Sequence, residues 1–441
     1  MNKRIAGLLI ACLLAGGLVA VISAAGGNGS PWVGAEPAVN ISHTQDVVDE
    51  GSLALGPGDR VAAIWAGADT RGVFLAQAQE GNWDTPTMTL ASGQAAWYPT
   101  VAYSGTEVIA AWAQGAARYP RSTPRAVMQR DASTLQAQTI ITPVFGNVEI
   151  GLVVAPTGMH MIFAATTNVT ITGYPWDLYY THRYFTETTW MPPTAIITHA
   201  QVLPAGTTPA GIWSPRLAVN NDGTQFHVVW EQETTAFTHT IWYASGLWQA
   251  GHINWTTPQQ VSPPGQRYTV RPNVAVGATG KVHIVWTELI PGSGSITEPE
   301  EQHINYIQLG DPAPIRINGE AIRANDNKPT WSTSSLALNG NHLCATWHGF
   351  YAPPGMPGIE DIIMRCSQDE GKSWQFLINV SESSEKLSIF PTVKIDNGGQ
   401  VHVTWAEFVL PIGTWVPDDF YYRTGTSDVK RIFLPLVMRK A

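Results

Sequence analysis

The chain has 441 residues and a formal net charge of −9, so it has no basic excess that could neutralise the phosphates of a nucleic acid. Charged residues make up 13% and hydrophobic residues 44% of the chain, which excludes an intrinsically disordered protein. The 41 glycines, 31 prolines and 18 tryptophans predict an all-β protein with many short strands and tight turns.

The first segment, residues 1–25, has the pattern of a secretory signal peptide. Lys3 and Arg4 precede an apolar run, and Ser23-Ala24-Ala25 supplies small residues at the cleavage positions. We therefore expect bacterial-type export to the medium or the cell surface, with no membrane span left after signal cleavage. An uncleaved membrane anchor and lipidation at Cys12 are the alternatives.

Beyond about residue 50, one pattern recurs along the whole chain, which predicts a repeat architecture. It consists of Pro-x-aliphatic-x-aliphatic, a turn that contains glycine, and an aliphatic strand that ends in an aromatic marker. The markers lie 47 to 67 residues apart and are Trp65, Trp112, Phe163, Trp230, Trp286, Trp347 and Trp405.

Each repeat has room for four strands, which we name A to D. The unit that opens at Pro329 illustrates them, with the predicted strands Ser335–Leu338, His342–Trp347, Asp361–Cys366 and Trp374–Val380. A four-stranded unit does not cover its own faces. Stacking such units around an axis buries them, as in a β-propeller.

The last repeat lacks a convincing D strand, and the N-terminal segment supplies one. Ala38–Ser42 resembles the D strand Ile378–Ser381 of the preceding repeat. We therefore predict one seven-bladed β-propeller over residues 30–428, closed by the N-terminal strand, which completes the last blade. A six-bladed ring, with the weak unit near residues 150–200 as an insertion, is the alternative.

Ser367–Trp374 resembles the Asp box (BNR repeat) of the sialidase-like β-propeller superfamily, Ser-x-Asp-x-Gly-x-Thr-Trp, with Ser in place of Thr. In such a turn, Ser367 opens the motif, Asp369 caps backbone N–H groups, Gly371 supplies a positive φ, and Trp374 packs the turn onto the blade. The resemblance implies a propeller in which an exo-acting glycoside hydrolase would use three arginines, a Tyr–Glu pair and an Asp. The Phe/Tyr-Arg-Ile-Pro motif that usually carries the first arginine is absent from this chain.

Loop lengths predict which face of the propeller binds a ligand. A–B turns such as Asn221–Gly223 are short, whereas B–C connections such as Ile290–Glu301 and D–A connections such as Val202–Ser214 are long. Recognition is commonly built on the long loops of a rigid scaffold. We assign binding to the B–C/D–A face; loops that only cover blade edges are the alternative.

Candidate residues on that face are strand-end carboxylates, arginines and aromatic side chains. The candidate catalytic residues, one or two positions after a marker, are Glu231, Glu288 and Glu407. The candidate ligand-binding residues, expected in the long loops, are Arg216, Arg271, Trp97, Tyr98, Trp213, Tyr268 and Tyr351. Aromatic faces stack on sugars while charged groups bond hydroxyls, and a carboxylate pair suits glycosidase chemistry. Surface charge, ion pairing and capping are the alternative roles.

Other chemistry-bearing residues favour a structural reading. Four histidines each stand three residues before a marker, which predicts a framework role and no metal site: His160, His227, His283 and His402. No phosphate loop, zinc spacing or nucleophile elbow stands out, so no cofactor is expected. The Asn-x-Ser sequences at Asn40 and Asn379 belong to the strand-D repeat, which argues against glycosylation there.

The two cysteines that remain after signal cleavage are Cys344 and Cys366. A hairpin that turns around residue 355 places them opposite each other on adjacent strands, which favours a disulfide in an oxidising compartment. Two buried free thiols are the alternative.

A short tail, residues 429–441, follows the last repeat. Arg431–Arg439 resembles a terminal motif of exported bacterial proteins, so a sorting signal and a docked strand are both open. The leading hypothesis for the whole chain is an exported monomer that binds a glycan or another cell-surface ligand. An exo-acting glycoside hydrolase and a non-catalytic adhesion or scaffold module are the alternatives.

Overall fold

The computed structural model describes most of the chain between residues 30 and 427. The described residues are 30–32, 34–43, 48–67, 71–83, 87–116, 124–134, 136–146, 148–167, 176–198, 201, 211–235, 238–265, 268–291, 299–319, 322–323, 332–351, 359–383, 386–409 and 417–427. The segment 1–25 with Cys12, the tail 429–441 and the centres of several long loops lie outside them. No helix among the described residues is long and apolar enough to cross a membrane.

The strands form seven antiparallel blades around one axis, which confirms the predicted seven-bladed propeller. Two N-terminal strands come first, β1 Ser30–Pro31 and β2 Val39–Asn40. Blade 1 contains β3 Val48–Gly56, β4 Arg60–Gly67, β5 Gly72–Gln79, β6 Asn82–Trp83 and β7 Met88–Ala91. Blade 2 contains β8 Ala95–Ser104, β9 Glu107–Gly115, β10 Arg125–Asp131 and β11 Gln138–Val144. Blade 3 contains β12 Ile150–Ala155, β13 Gly158–Ala165, β14 Asp177–Arg183 and β15 Thr194–Ile197.

The remaining four blades follow the same order. Blade 4 contains β16 Ile212–Val219, β17 Gln225–Thr235, β18 Thr238–Gln249, β19 His252–Trp255 and β20 Gln259–Gln260. Blade 5 contains β21 Thr269–Val276, β22 Val282–Pro291, β23 Pro299–Gln308, β24 Ile315–Arg316 and β25 Ile322–Arg323. Blade 6 contains β26 Ser334–Asn339, β27 His342–Tyr351, β28 Ile359–Ser367 and β29 Ile378–Asn379. Blade 7 contains β30 Lys386–Ile395, β31 Gln400–Val409 and β32 Pro417–Thr426.

The aromatic markers form the core between neighbouring blades. Every marker Trp and Phe163 exposes at most 1% of its surface to solvent. Burying rings of this size, each roughly 150–250 Å², explains why the marker recurs in every unit. Phe163 does this in blade 3, so the segment near residues 150–200 is a full blade and the six-bladed alternative is wrong.

The N-terminal strand closes the ring as predicted. β2 pairs antiparallel with β32, with Val39 opposite Tyr422. Asn40 Nδ2 donates to Asp419 Oδ1 at 2.5 Å, and the Phe420 backbone N–H donates to Ser42 Oγ at 3.1 Å. The same contacts recur in blade 6, where Asn379 Nδ2 donates to Asp361 Oδ2 at 2.9 Å. The amide nitrogens of both Asn-x-Ser sequences are thus engaged in closing blades.

A second N-terminal contact, which the sequence analysis did not foresee, ties blade 6 to blade 7. β1 pairs in parallel with β29 at the outer edge of blade 6. The Trp32 indole then donates to the Thr426 carbonyl of blade 7 at 3.0 Å. The N-terminal segment therefore fastens the two blades that lie at the end of the chain.

Replacing Asn40 by Ala should destabilise the closed ring. The change removes the bond to Asp419 and leaves the Ser42 and His43 backbone N–H groups without their Asn40 Oδ1 acceptor. Losing these bonds should lower the free energy of unfolding by about 1–3 kcal/mol, measured by urea denaturation. Asn254→Ala, on the exposed strand β19, is the matched control and should change stability by less than about 0.5 kcal/mol. Equal stability of both variants would contradict the closure role.

The turn between β28 and β29 has the internal bonding that its sequence suggests. Asp369 Oδ1 accepts the Ser373 backbone N–H at 2.8 Å, and Ser367 Oγ accepts that of Gly371, also at 2.8 Å. Gly371 has a φ of 83°, and Trp374 packs edge-on against Tyr306 of blade 5. Because these residues form the turn, strand D is shorter than the predicted Trp374–Val380 and covers only Ile378–Asn379.

Strands β27 and β28 carry the two cysteines in register. Cys344 lies opposite Cys366, and the two form a disulfide. His342 Nε2 lies 3.4 Å from Cys344 Sγ, and this His–Cys–Cys group is the one described cluster that could hold a metal ion. Since both thiols are consumed by the disulfide, it offers no metal site in this state.

The four repeated histidines make one repeated buried contact with tyrosines of strand C. His160, His227, His283 and His402 each place Nδ1 2.7–2.8 Å from a tyrosine hydroxyl of the same blade. Burial lowers the pKa of His160 to about 3 and those of His227 and His283 to about 4. This contact fits a framework role, with neutral imidazoles inside the blades.

Candidate functional site

A cavity of about 190 Å³ lies on the propeller axis. Its wall is built from the A strands, which are the innermost strands of the blades. Successive side chains of a strand alternate between its two sides, so every second residue of an A strand faces the axis. The seven blades thereby contribute rings of equivalent residues, which we number in the direction of the A strands.

The second ring contains the A-strand residues that pair with the position directly before the marker. Strand pairing fixes them, for example Thr100 opposite Ala111 and Asn273 opposite Val285. All seven members line the cavity, and they are Ser52, Thr100, Gly151, Arg216, Asn273, Ser335 and Thr392.

The first ring lies two residues earlier, where the A strands begin. Its members are Glu50, Tyr98, Glu149, Ser214, Arg271, Thr333 and Phe390, and all but Ser214 line the cavity. The four members that precede a proline have left-handed φ values, namely Tyr98 at 51°, Ser214 at 46°, Arg271 at 54° and Phe390 at 55°. Such backbone is uncommon for residues other than glycine.

A β-bulge explains that backbone. The pairing of strands A and B shifts register at this point in blades 2, 4, 5 and 7. A bulge leaves one residue unpaired and redirects its side chain, and bulges are common next to binding sites. Here the bulge turns the residue before each proline towards the axis.

Opposite charges meet in blades 3 to 5. Glu149 is buried, and its Oε1 accepts from Ser214 Oγ at 3.2 Å and from Arg271 Nη1 at 3.4 Å. Its Oε2 lies 3.5 Å from Arg216 Nη1. Arg216 and Arg271 keep 29% and 21% of their side chains accessible, so both guanidinium groups still face the cavity.

The lining as a whole is cationic in an acidic protein. It contains the carboxylates of Glu50 and Glu149 and three cations, Arg216, Arg271 and Lys394. Burial opposes the charge of Arg271, but the carboxylates of Glu149 and Glu50 outweigh it and raise the Arg271 pKa above its usual value. The arginine is therefore held fully protonated.

Glu231 supports Arg271 from behind the cavity wall. Its Oε2 accepts the Arg271 backbone N–H at 3.1 Å, and its Oε1 lies 2.7 Å from His239 Nδ1. Burial opposes protonation of His239, but the bond to Glu231 and its charge outweigh burial and raise the pKa of His239. The buried Glu231–His239 pair thus holds the left-handed backbone of Arg271. Glu231 is a positioning residue and does not line the cavity.

His348 supports the opposite side of the first ring. It is 1% exposed, and its Nδ1 accepts the backbone N–H groups of Thr333 and Phe390, each at 3.4 Å. Burial, with a smaller contribution from the charge of Arg271, lowers the pKa of His348 to about 3. The imidazole is neutral, and its Nε2 has no hydrogen-bond partner in the described part of the chain.

The sequence position directly after each marker carries a signal for these supporting residues. The position after the marker is alanine in four blades, as Ala66, Ala113, Ala164 and Ala406. In the three consecutive blades 4 to 6 it is polar, as Glu231, Thr287 and His348, and all three are buried. Polar residues at a position that is otherwise alanine mark the blades that hold Arg271 and its neighbours.

The other two candidate glutamates lie elsewhere and do not form a site with Glu231. Glu407 Oε1 accepts from the Trp405 indole at 3.0 Å, the same contact that Gln114 makes with Trp112. Glu288 Oε2 accepts from Asn305 Nδ2 at 3.0 Å within blade 5. Glu288 and Glu407 stand two residues after a marker, whereas Glu231 stands one residue after. Because side chains alternate along a strand, the first two point to the opposite side from Glu231.

The candidate binding residues also separate. Arg216, Arg271 and Tyr98 line the cavity. Trp97 is 4% exposed and packs in the core beneath Arg125, and Trp213 packs edge-on against Trp176. These aromatic residues lie at strand ends instead of in loops, because the A strands begin earlier than predicted. Tyr268 is half-buried beside His239, and the side chain of Tyr351 lies outside the described residues.

Comparison with solved structures finds a similar fold in several proteins of known structure. An ulvan lyase of polysaccharide lyase family PL25, bound to -[GlcA(1-4)Rha3S]-, superposes with a TM-score of 0.57 and 11% identity over 90% of this chain and 95% of its own. An α-L-arabinofuranosidase from Fusarium graminearum gives a TM-score of 0.50 and 9% identity over 89% and 98%. Trypanosoma rangeli sialidase gives 0.48 and 9% identity, over 90% of this chain and 59% of that one.

No protein-family model matches the sequence, and no curated protein matches it either. At identities of 9–11% the structural likeness shows the fold alone.

Proposed function

We propose that this protein binds the acidic sugar residue of a glycan in its axial cavity, with Arg216 and Arg271 as the carboxylate-binding pair. The observation that carries this proposal is the convergence of the two guanidinium groups on one cavity from neighbouring blades. Arginine binds carboxylates through planar, charge-assisted hydrogen bonds.

The size and composition of the cavity favour a single terminal sugar. About 190 Å³ is smaller than the roughly 300–1,000 Å³ typical of pockets for drug-sized ligands. Tyr98 and Phe390 offer ring surfaces in the first ring, and hydroxyl groups surround the second. One sugar with a carboxylate uses all three features. The ulvan lyase and the arabinofuranosidase, both described as acting on saccharides, support this ligand class.

Replacing Arg271 by Met should weaken the binding of an acidic monosaccharide. The ligands to compare are methyl glucuronide, methyl sialoside and neutral methyl glucoside, titrated calorimetrically into the purified mature protein. Arg271→Met and Arg216→Met should each weaken the binding of an acidic ligand by about 10- to 100-fold, since each removes a charge-assisted bond of about 1.5–3 kcal/mol. Arg316→Met, on the exposed strand β24 of blade 5, is the control and should bind as the unmodified protein does.

If both cavity variants bind acidic sugars as well as the Arg316→Met control, the carboxylate-binding role of the arginines is wrong. Preference of the unmodified protein for the neutral glucoside would also contradict the proposal.

Exo-acting glycoside hydrolysis is the second candidate, favoured by the two carboxylates of Glu50 and Glu149 in the same cavity. Paired carboxylates are the usual machinery of glycoside hydrolysis. Fluorogenic glycosides test it: release that is lost in both Glu50→Gln and Glu149→Gln supports hydrolysis. A non-catalytic adhesion module remains if no glycoside is cleaved.

We also retain two finer proposals. The internal bonds of Ser367–Trp374 support its interpretation as a sialidase-type Asp box. The Cys344–Cys366 disulfide supports export to an oxidising compartment, because such bonds rarely persist in the cytosol. Mass spectrometry of the protein from culture medium and cell surface would test the export and the cleavage after residue 25.

A further inference from the structure

A third ring of A-strand residues follows the second ring along the propeller axis. Its members pair with the position three residues before the marker, as Ala275 does with His283 and Lys394 with His402. They are Ala54, Ala102, Val153, Ala218, Ala275, Ala337 and Lys394. Six blades thus place a small apolar side chain at this level, and blade 7 places a lysine there.

Lys394 faces the cavity from this ring. It is the one member of the third ring that lines the cavity, and its side chain remains accessible although it lies at the centre of the propeller. Its ammonium has no hydrogen bond or ion pair with any residue that the structure describes. Burial lowers the pKa of Lys394.

The Lys394 ammonium is accessible from the cavity, but it is partly desolvated there and has no ion pair with a described residue to compensate, which is less favourable than a position on the outer surface. Alanine or valine at the same position of the other six blades avoids the cost. Residues that break a repeat rule in this way are expected at functional sites.

Two second-ring side chains that line the same cavity as Lys394 offer hydrogen-bond donors. Asn273 uses its Oδ1 to accept the Val274 backbone N–H at 2.9 Å, which leaves its Nδ2 hydrogens for the cavity. Ser335 Oγ accepts the Val393 backbone N–H at 3.2 Å, which leaves its own O–H free to donate. A lone cation with hydroxyl and amide donors matches the charge and the acceptors of a tetrahedral oxyanion.

We propose that the end of the axial cavity at Lys394 is an oxyanion site, in which Lys394 and the second-ring donors bind a sulfate or phosphate group, free or as an ester on a sugar. The site is separate from the Arg216–Arg271 pair and does not depend on the proposed uronate binding. Together the two sites would suit a glycan that carries a carboxylate and an ester oxyanion.

The test is a calorimetric titration of the mature protein with sulfate and with phosphate, at constant ionic strength maintained with chloride. Lys394→Met should weaken the binding of the oxyanion at least tenfold, and Lys394→Arg should retain most of it. Lys372→Met, in the exposed turn of blade 6, is the control and should leave the affinity unchanged within twofold. Methyl galactoside with and without an O-sulfate separates a free ion from an ester: tighter binding of the sulfated sugar than of sulfate identifies the ester.

No detectable oxyanion binding, or equal binding by the Lys394→Met and Lys372→Met variants, would overturn the proposal. Should Lys394→Met fail to fold, a crystal of the unmodified protein grown with selenate provides the second measurement. Anomalous density at Lys394 Nζ supports the site, and its absence rejects it. Acidic-sugar binding that survives in Lys394→Met but is lost in Arg271→Met would show that the two sites bind their ligands independently.

Discussion

Lowering the pH from 7 to 5 should reduce the free energy of unfolding by several kcal/mol. His160, His227, His283 and His348 are buried and neutral, with pKa values of about 3 to 4. In the unfolded chain their pKa is near 6.5, so the unfolded state binds more protons below that pH. Their stabilising contribution is therefore complete above pH 6.5 and is lost as the pH falls towards 4.

The size of the effect follows from proton linkage. Each such histidine contributes up to about 2 kcal/mol between pH 7 and pH 5, and the total is comparable with the 5–15 kcal/mol that holds a typical domain. Guanidinium denaturation across this range measures it. His227→Gln should flatten the pH slope by up to one proton, whereas His252→Gln, on an exposed strand, should not. A slope that His227→Gln leaves unchanged would contradict the neutral buried imidazole.

Replacing Glu231 by Gln should both destabilise the protein and impair the cavity. The variant leaves His239 without its carboxylate partner, and breaking a buried charged pair from one side costs about 3–5 kcal/mol. Because Glu231 also holds the Arg271 backbone, we expect roughly tenfold weaker binding of acidic sugars. Glu233→Gln, two residues further along β17 and half-buried, should cost less than about 1 kcal/mol.

The pH dependence of Glu231→Gln provides a readout that a general loss of packing would not give. The pKa of His239 is raised in the folded state, so its stabilising contribution is complete below its unfolded pKa and is lost as the pH rises through the folded value. The stability difference between the unmodified protein and Glu231→Gln should therefore be larger at pH 6 than at pH 9. A difference that does not vary with pH, or unchanged sugar binding, would refute the positioning role.

The propeller could be predicted because each blade carries its own copy of the repeat pattern. A marker such as Trp286 needs a buried position in every unit, and the glycine turns recur around it. The last blade lacked a D strand, and the segment Ala38–Ser42 resembled one, so closure of the ring by this segment could be predicted. The pairing of the two cysteines could be predicted in the same way, because it depends on the register of a single hairpin centred on residue 355.

The site was harder to predict because its members come from separate repeats. Arg271 was predicted from the proline beside it, and Tyr98 as an aromatic residue expected in a long loop. Glu50 and Glu149 occupy the same ring without either signal. Glu288 and Glu407 do not line the axial cavity, because a spacing of two residues from the marker reverses the direction of a side chain relative to a spacing of one. Alignment of the repeats by strand register separates these positions.

Closure through β2 also constrains when the protein can fold. Residue 39 pairs with residue 422, so the ring has no complete last blade until nearly the whole chain has left the ribosome. Individual hairpins can form during synthesis, but the pairing with the longest sequence separation must come last. Nascent chains therefore stay open for most of translation, and a premature stop before residue 417 leaves β2 with no strand to join.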